Sequence, residues 1–202
     1  MLDEAGFEDC KIVISNSLDE YLIEDMLAQG ACIDSFGVGE RLITAKSEPV
    51  FGGVYKLAAV EKDGVIIPKM KISENVEKIT NPGAKKVYRL YDRETDRAMA
   101  DVIALMDEEI PEEDGYTIFD PDNVWKKKNL KDFYAKELLV QIFKEGECVY
   151  KSPDIKDIKA YCAEQVEHLW EEVRRFENPQ TYYVDLSTKL WEMKRGILEQ
   201  HT

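Results

Sequence analysis

Apolar positions along this chain recur with more than one period, and the change of period divides it. Residues 11–15 (KIVIS) centre on a β-branched, apolar run of the kind a buried strand uses. Over residues 18–29 the apolar positions are Leu18, Tyr21, Leu22, Met26 and Leu27, one stripe of an amphipathic helix. Ser17 precedes that helix as N-cap, and Glu20, three residues on, completes a capping box. Gly30 follows as its C-cap. Residues 32–36 (CIDSF) read as a second strand and 40–46 as a further helical turn or two. Strand, helix, strand, helix is a βαβ order, which implies parallel strands.

The character changes at Glu48-Pro49. Residues 50–60 and 65–72 read as two strands around Lys62-Asp63-Gly64, because Asp-Gly between apolar runs is a strong hairpin signal. Pro68 makes the second an edge or bulged strand. Residues 73–83 form a loop, and 85–91 with 98–104 form a second hairpin. Residues 106–115 (MDEEIPEEDG) are an acidic connector whose like charges favour an extended, solvated link. Beyond it, 116–120 and 133–143 are strand candidates. Ser152 as N-cap and Pro153 at N1 open one long helix with apolar positions from Ile155 to Phe176, ended by Asn178-Pro179. Residues 181–184 are extended, and Asp185 or Ser187 caps a last helix to about Glu199. The predicted organisation is α/β over 1–47, an antiparallel β module over 48–106, an acidic linker over 107–115 and an α+β extension over 116–202.

Charge narrows the partners. The chain carries 41 acids against 27 bases, a formal charge of −14, which argues against non-specific binding to nucleic acid or anionic membrane. Cys10, Cys32, Cys148 and Cys162 show no CxxC spacing, so neither a zinc site nor a redox pair is indicated, and reduced thiols are expected. No apolar run is long enough for a membrane span. The acidic N-terminus has no signal-peptide core and reads like the interior of a longer chain.

Two loops carry candidate chemistry. Ser15-Asn16-Ser17 follows the first strand and Gly37-Val38-Gly39 the second. Loops after consecutive parallel strands open on the same side, and small, donor-rich loops at a helix N-terminus hold phosphate. Lys56, Lys69, Lys71, Lys78 and Lys85 cluster along the β module, where they face an anion or are simply solvated. His168 lies inside the long helix as a surface or partly packed side chain, and His201 is at the C-terminus, where ends fray. No Ser/His/Asp or Cys/His arrangement and no metal-ligand spacing stands out. Trp170, Tyr182, Tyr183 and Trp191 read as packing between the two terminal helices.

Taken together, SNSLDE at 15–20, IDSFGVGERLITA at 33–45, FGGVYKLAAV at 51–60, MKISENVEKITNPGAKKVYRL at 70–90 and HLWEEVRRFENPQTYYVDLS at 168–187 resemble the C-terminal half of the nicotinate phosphoribosyltransferase family. The resemblance runs in the family's order over essentially the whole chain. It implies a type II phosphoribosyltransferase, in which residues 1–47 are the last strands of an incomplete α/β barrel. The family joins nicotinate to phosphoribosyl pyrophosphate, giving nicotinate mononucleotide and pyrophosphate with ATP hydrolysis, an entry to NAD. By that resemblance Ser15, Asn16, Gly37, Val38, Gly39 and Glu40 line the ribose 5′-phosphate pocket. Lys56, Lys71, Lys78 and Lys85 are further anion contacts. Many family members have Thr where this chain has Glu40; a carboxylate repels phosphate and leaves only the backbone N–H to donate. The phosphorylated histidine and the nicotinate-binding arginines of the family precede this segment. No catalytic residue is therefore assigned here, and a fragment or one chain of a split enzyme is implied. ATP and Mg2+ serve the full enzyme, with none expected bound tightly to this segment. The other implied features are a homodimer or an N-terminal partner half, and a cytoplasmic setting. The alternatives are a non-catalytic module that retains the scaffold, or a sibling activity on nicotinamide or quinolinate.

Overall fold

The computed structural model describes residues 1–200, so His201 lies outside the described residues. The chain divides into two compact units, Met1–Val54 and Tyr55–Thr202.

In the first unit β1 (Val13–Ser15) and β2 (Ser35–Gly37) pair in parallel, with Ser15 opposite Gly37, and α1 (Glu20–Ala28) connects them. The βαβ order is as expected, but the elements are shorter. β2 begins at Ser35 rather than at residue 32, where Asp34 takes over the pairing. Its carboxylate accepts the Ile12 amide at 2.8 Å and the Lys11 ammonium at 3.3 Å, and these two bonds hold its pKa below the usual range. The expected Ser17 cap does not form. An N-cap needs extended backbone, and Ser17 sits in the left-handed region at φ 53°. Asp19, at φ −139°, caps instead and accepts the Leu22 amide at 2.9 Å. At the other end Gly30, at φ 80°, closes the helix as expected. Its amide reaches Leu27 and the next amide reaches Met26, the paired bonds of a Schellman motif. The four-residue α2 (Glu40–Ile43) follows β2.

The second unit begins with the hairpin of β3 (Ala59–Lys62) and β4 (Val65–Pro68). Asp63 and Gly64 are both left-handed, at φ 53° and 75°, as a two-residue turn of that hand requires. No strand extends back to residue 50: residues 49–58 carry no regular structure. Gly52-Gly53 weaken any strand there by their backbone entropy. β4 stops at Pro68, not 72, because proline brings no amide to a ladder.

β5 (Lys85–Asp92) and β6 (Ala98–Leu105) form the second expected hairpin, correct to within a residue. After them come β7 (Tyr116–Phe119), β8 (Lys127–Leu130), β9 (Phe133–Glu137), β10 (Phe143–Lys144) and β11 (Glu147–Cys148). Then follow α3 (Ile155–Glu167), α4 (Glu171–Arg174), β12 (Val184–Leu186) and α5 (Thr188–Glu199). β5 and β6 are the centre of a four-stranded sheet ordered β12-β6-β5-β9, in which β12 runs parallel to β6 and β9 antiparallel to β5. Leu90, Ala100, Val102, Ile118, Leu130 and Phe133 fill one core. Leu105, Leu186 and Leu190 fill a smaller one.

Three expectations change here. The acidic stretch 107–115 packs rather than floats. Ile110 is buried in the larger core. One Glu108 carboxylate oxygen accepts the Leu105 amide and the Ser187 hydroxyl, both at 2.7 Å. Glu112 accepts the Ala135 amide and pairs with Arg93. Its like charges are tolerated because each of these carboxylates finds donors.

The long helix is two helices. Asp154 caps α3, and the helix ends at His168. There the edge of β6 diverts the chain: the Ala98 amide donates to the His168 carbonyl at 2.8 Å and Arg97 donates to the Leu169 carbonyl at 2.9 Å. Trp170 turns extended and donates its indole N–H to the Ala98 carbonyl at 2.8 Å. The four aromatics therefore anchor to strands and loops instead of bridging the terminal helices. Tyr182 donates to Asp101, Tyr183 lies under Lys128, and Trp191 donates to the Pro121 carbonyl. Ser187 caps α5 as expected, its hydroxyl accepting the Leu190 amide at 3.1 Å.

Candidate functional site

Parallel pairing sets the C-terminal ends of β1 and β2 side by side, so the loops after them face a common space. That space is a cavity of about 350 Å3 lined by Asn16, Ser17, Leu18, Gly37, Gly39, Glu40, Arg41 and Lys46. Of the residues expected to bind phosphate, Asn16, Gly37, Gly39 and Glu40 line it. Ser15 lies behind them as the strand partner of Gly37, and Val38 falls between the two glycines without lining the cavity.

The local backbone explains the residue types. A Cβ on Gly37 would meet the Ser15 Cβ at 3.1 Å, so the close approach of the two strand ends favours glycine. Asn16 and Ser17 are both left-handed, at φ 88° and 53°. Consecutive non-glycine residues in that region are strained, and such strain concentrates where a loop is held for a purpose. The first amides of α2 have no acceptors within the helix, so that end is a donor surface.

Two cations in the cavity were not among the expected contacts. Arg41 is paired with Asp19, which also caps α1, so one carboxylate ties the guanidinium to the helix start. Lys46 is exposed and has no acid partner among the described residues. Against them stands the Glu40 carboxylate, so the lining side chains carry two positive charges and one negative. The Asp19 carboxylate offsets the Arg41 charge, so what suits a small anion here is the Lys46 ammonium together with the backbone donors. The signal for Arg41 was its place directly after the glycine turn. For Lys46 the sequence offered none, since it reaches the cavity only through the turn that ends α2.

The lysines predicted as further contacts lie in the other unit. Lys56, Lys69, Lys71 and Lys78 are exposed. Lys85 is half-buried and donates to the carbonyls of Asn81 at 2.8 Å and Gly83 at 2.6 Å, with its pKa pulled down by burial. Its ammonium pins the Asn-Pro-Gly corner, where a Cβ on Gly83 would meet Leu105 at 2.9 Å. His168 is partly packed, as expected. Its Nδ1 is 2.6 Å from the Asp96 carbonyl, and its ring meets Tyr91 edge-on. The four cysteines are free and exposed. Among the described residues no helix is long and apolar enough to cross a membrane.

Comparison with known proteins decides the family. Residues 84–194 match the model described as the nicotinate phosphoribosyltransferase C-terminal domain. The chain belongs to the nicotinate phosphoribosyltransferase family. The nicotinate phosphoribosyltransferase of Bacillus subtilis (strain 168) is 45% identical over 194 residues, which cover 96% of this chain and 40% of that protein. The Caenorhabditis elegans protein of that name is 33% identical over 197 residues, 96% of this chain and 34% of its own length. A crystal structure of human nicotinic acid phosphoribosyltransferase shares the fold, with a TM-score of 0.70 at 22% identity, over 97% of this chain and 36% of that one. The chain thus spans between a third and two-fifths of these family members, and at 96% coverage the Bacillus match takes in both units.

Proposed function

We propose that this chain is the C-terminal portion of a nicotinate phosphoribosyltransferase and that the cavity at the ends of β1 and β2 is its ribose 5′-phosphate cradle. The observation that carries this reading is the convergence of Asn16, Gly37, Gly39, Arg41 and Lys46 on one small, donor-rich space. The whole enzyme joins nicotinate to phosphoribosyl pyrophosphate, releasing nicotinate mononucleotide and pyrophosphate with ATP hydrolysis, in NAD biosynthesis. Displacement at C1 of the ribose passes through an oxocarbenium-like state. The contribution of this segment is orientation: amides and cations hold the 5′-phosphate and so locate C1. Glu40 works against that contact through its carboxylate and for it through its amide. No group of three or more His, Cys, Asp or Glu side chains among the described residues is placed to hold a metal ion. Mg2+ and ATP belong to the reaction of the whole enzyme, and the contribution derived for this segment is that of its own amides and side chains. Other parts of the enzyme, in the same chain or in a second subunit of a cytoplasmic dimer, supply the nicotinate site. They also cover the apolar surface of the first unit, where Val13 and Ile43 are 61% and 83% exposed.

The test is titration of nicotinate mononucleotide into the 202-residue chain, followed by amide shifts at residues 37–39. Saturable shifts are expected, weakened on the order of tenfold by Arg41→Ala, the loss of one charge-assisted contact. No saturable response would return the segment to a scaffold role. The chain alone is expected to form no nicotinate mononucleotide from nicotinate and phosphoribosyl pyrophosphate; product in that assay would overturn the division of labour.

A further inference from the structure

We infer that the second unit carries a binding groove, distinct from the phosphate cradle, for a small anion bearing an amino-substituted aromatic ring, of nucleoside monophosphate size. A cavity of about 770 Å3 is framed by the β7–β8 hairpin, by β12 and by the residues leading into it. Its walls offer two complementary chemistries.

One wall carries an acid without a donor. Along β12 Leu186 faces the smaller core, so the alternating position, Asp185, faces the other way and lines the cavity. Asp185 is only 4% exposed, and no hydrogen bond or ion pair reaches its carboxyl from any described residue. Its oxygens are not among the fully enclosed unpartnered atoms, so they open onto the cavity, where a ligand can meet them. The neighbouring Asp120 shows the contrast. It accepts the amides of Asp122 and Asn123, both at 2.9 Å, and the Asn123 side chain at 3.0 Å, and Lys126 lies 3.7 Å away. None of those donors is shared with Asp185. Burial and the Asp120 charge push Asp185 up to about 6, the behaviour of a carboxyl with no donor of its own. An amino group on a ligand supplies what is missing.

The other wall carries three lysines, of which Lys126 pairs with Asp120, itself a lining residue with Asp122. Lys127 and Lys128 line the same cavity and have no acid partner among the described residues. Lys128 lies 5.9 Å from the centre of the Tyr183 ring, and about half of Tyr183 remains exposed. Lysines beside an aromatic face receive a phosphate and a stacked ring together. A ligand that places an amino group on Asp185, a ring near Tyr183 and an anion on the lysines satisfies all three.

Calorimetric titration of the 202-residue chain near neutral pH with adenosine 5′-monophosphate and purine riboside 5′-monophosphate tests this. The two differ at one ring position, an amino group in one and a hydrogen in the other. Saturable binding of the adenosine compound is expected, on the order of tenfold tighter than the purine riboside compound. Asp185→Asn, which removes a buried charge and keeps the shape, should erase that preference while circular dichroism stays unchanged. Lys127→Ala with Lys128→Ala should weaken both nucleotides alike. Equal affinities in the parent chain, or no saturable heat at millimolar ligand, would overturn the proposal. So would binding that survives Asp185→Asn and disappears in Arg41→Ala, because that assigns the nucleotide to the cradle.

Discussion

The two units solve the same problem in opposite ways. In residues 55–202 a sheet of four strands closes over its own core: Leu90, Ala100, Val102 and Phe133 are fully buried. In residues 1–54 Leu18 is the single hydrophobic side chain buried among the described residues, while Val13, Leu22, Leu27, Leu42 and Ile43 are exposed. Burial of apolar surface is the main favourable term in folding. The second unit therefore carries its own stability, and the first holds its shape through local bonds. Those are the Asp19 cap, the Asp34 bonds across to Ile12 and the Schellman closure at Gly30. The unit that holds the cavity at the ends of β1 and β2 is the one with little core of its own.

The largest expected effect tests that contrast directly. Phe133→Ala should destabilise the second unit by about 3–5 kcal/mol, the cost of a large cavity in a closed core. Leu22→Ala, on the half-exposed face of α1, should cost less than about 1 kcal/mol in this chain. Urea denaturation of both variants measures the difference. Comparable losses would mean that the first unit has a core of its own.

A second effect lies in the sheet. The Arg89 guanidinium makes two bonds to Asp101, at 2.8 and 2.9 Å, and Tyr182 donates to the same carboxylate at 2.9 Å. Asp101→Asn leaves a partly buried guanidinium without its counter-charge and should cost about 2–4 kcal/mol. Restoring neutrality with Arg89→Met in the same chain should recover part of that loss. If the double variant is no better than Asp101→Asn, the damage comes from the Tyr182 bond and not from the orphaned charge.

These contrasts also show which parts of the molecule the sequence could display. The βαβ order, the β5–β6 hairpin, the Asp63-Gly64 turn and the Ser187 cap were all legible, because each is decided by residues adjacent in sequence. The break of the long helix at His168 was not. Its cause is the edge of β6, some seventy residues away, which takes the His168 and Leu169 carbonyls. Nor was the packing of 107–115, where Glu108 and Glu112 look like solvated charges until Ser187 and Ala135 arrive as donors. At the cradle the glycines and Asn16 were legible from their turn chemistry. Arg41 showed only its place just past the glycine turn and Lys46 showed nothing, since a cation's neighbours are a tertiary fact.

Acid titration separates the units by sign. Burial first and the Asp120 charge second raise Asp185 to about 6. A carboxyl raised in the folded state binds more protons there than in the unfolded chain between its two pKa values. Stability of the second unit from this group should thus fall as pH rises from about 4 to about 6, by about 1–3 kcal/mol, and then level off. Asp34 in the first unit is lowered, chiefly by the Ile12 amide, so its contribution is present at neutral pH and is lost as pH falls through its folded value. Melting the parent and Asp185→Asn at both ends of that window isolates the first effect, since the other carboxyls are common to both. Equal melting temperatures at neutral pH would remove Asp185 as a source of strain.

The smallest effect belongs to the first unit and ties its fold to its site. Asp19 caps α1 through the Leu22 amide and pairs with Arg41 in the cradle. Asp19→Ala should fray the start of α1 at a cost of about 1 kcal/mol, visible as faster amide exchange at residues 20–23. Amides of β5 and β6 should exchange as in the parent, because nothing in their core has changed. The same substitution releases Arg41 from its only carboxylate among the described residues. If that pairing positions the guanidinium, nicotinate mononucleotide should bind more weakly to Asp19→Ala despite the loss of a negative charge nearby. Tighter binding would mean that Asp19 merely competes with the phosphate, and Arg41 would then be a free cation and not a placed one.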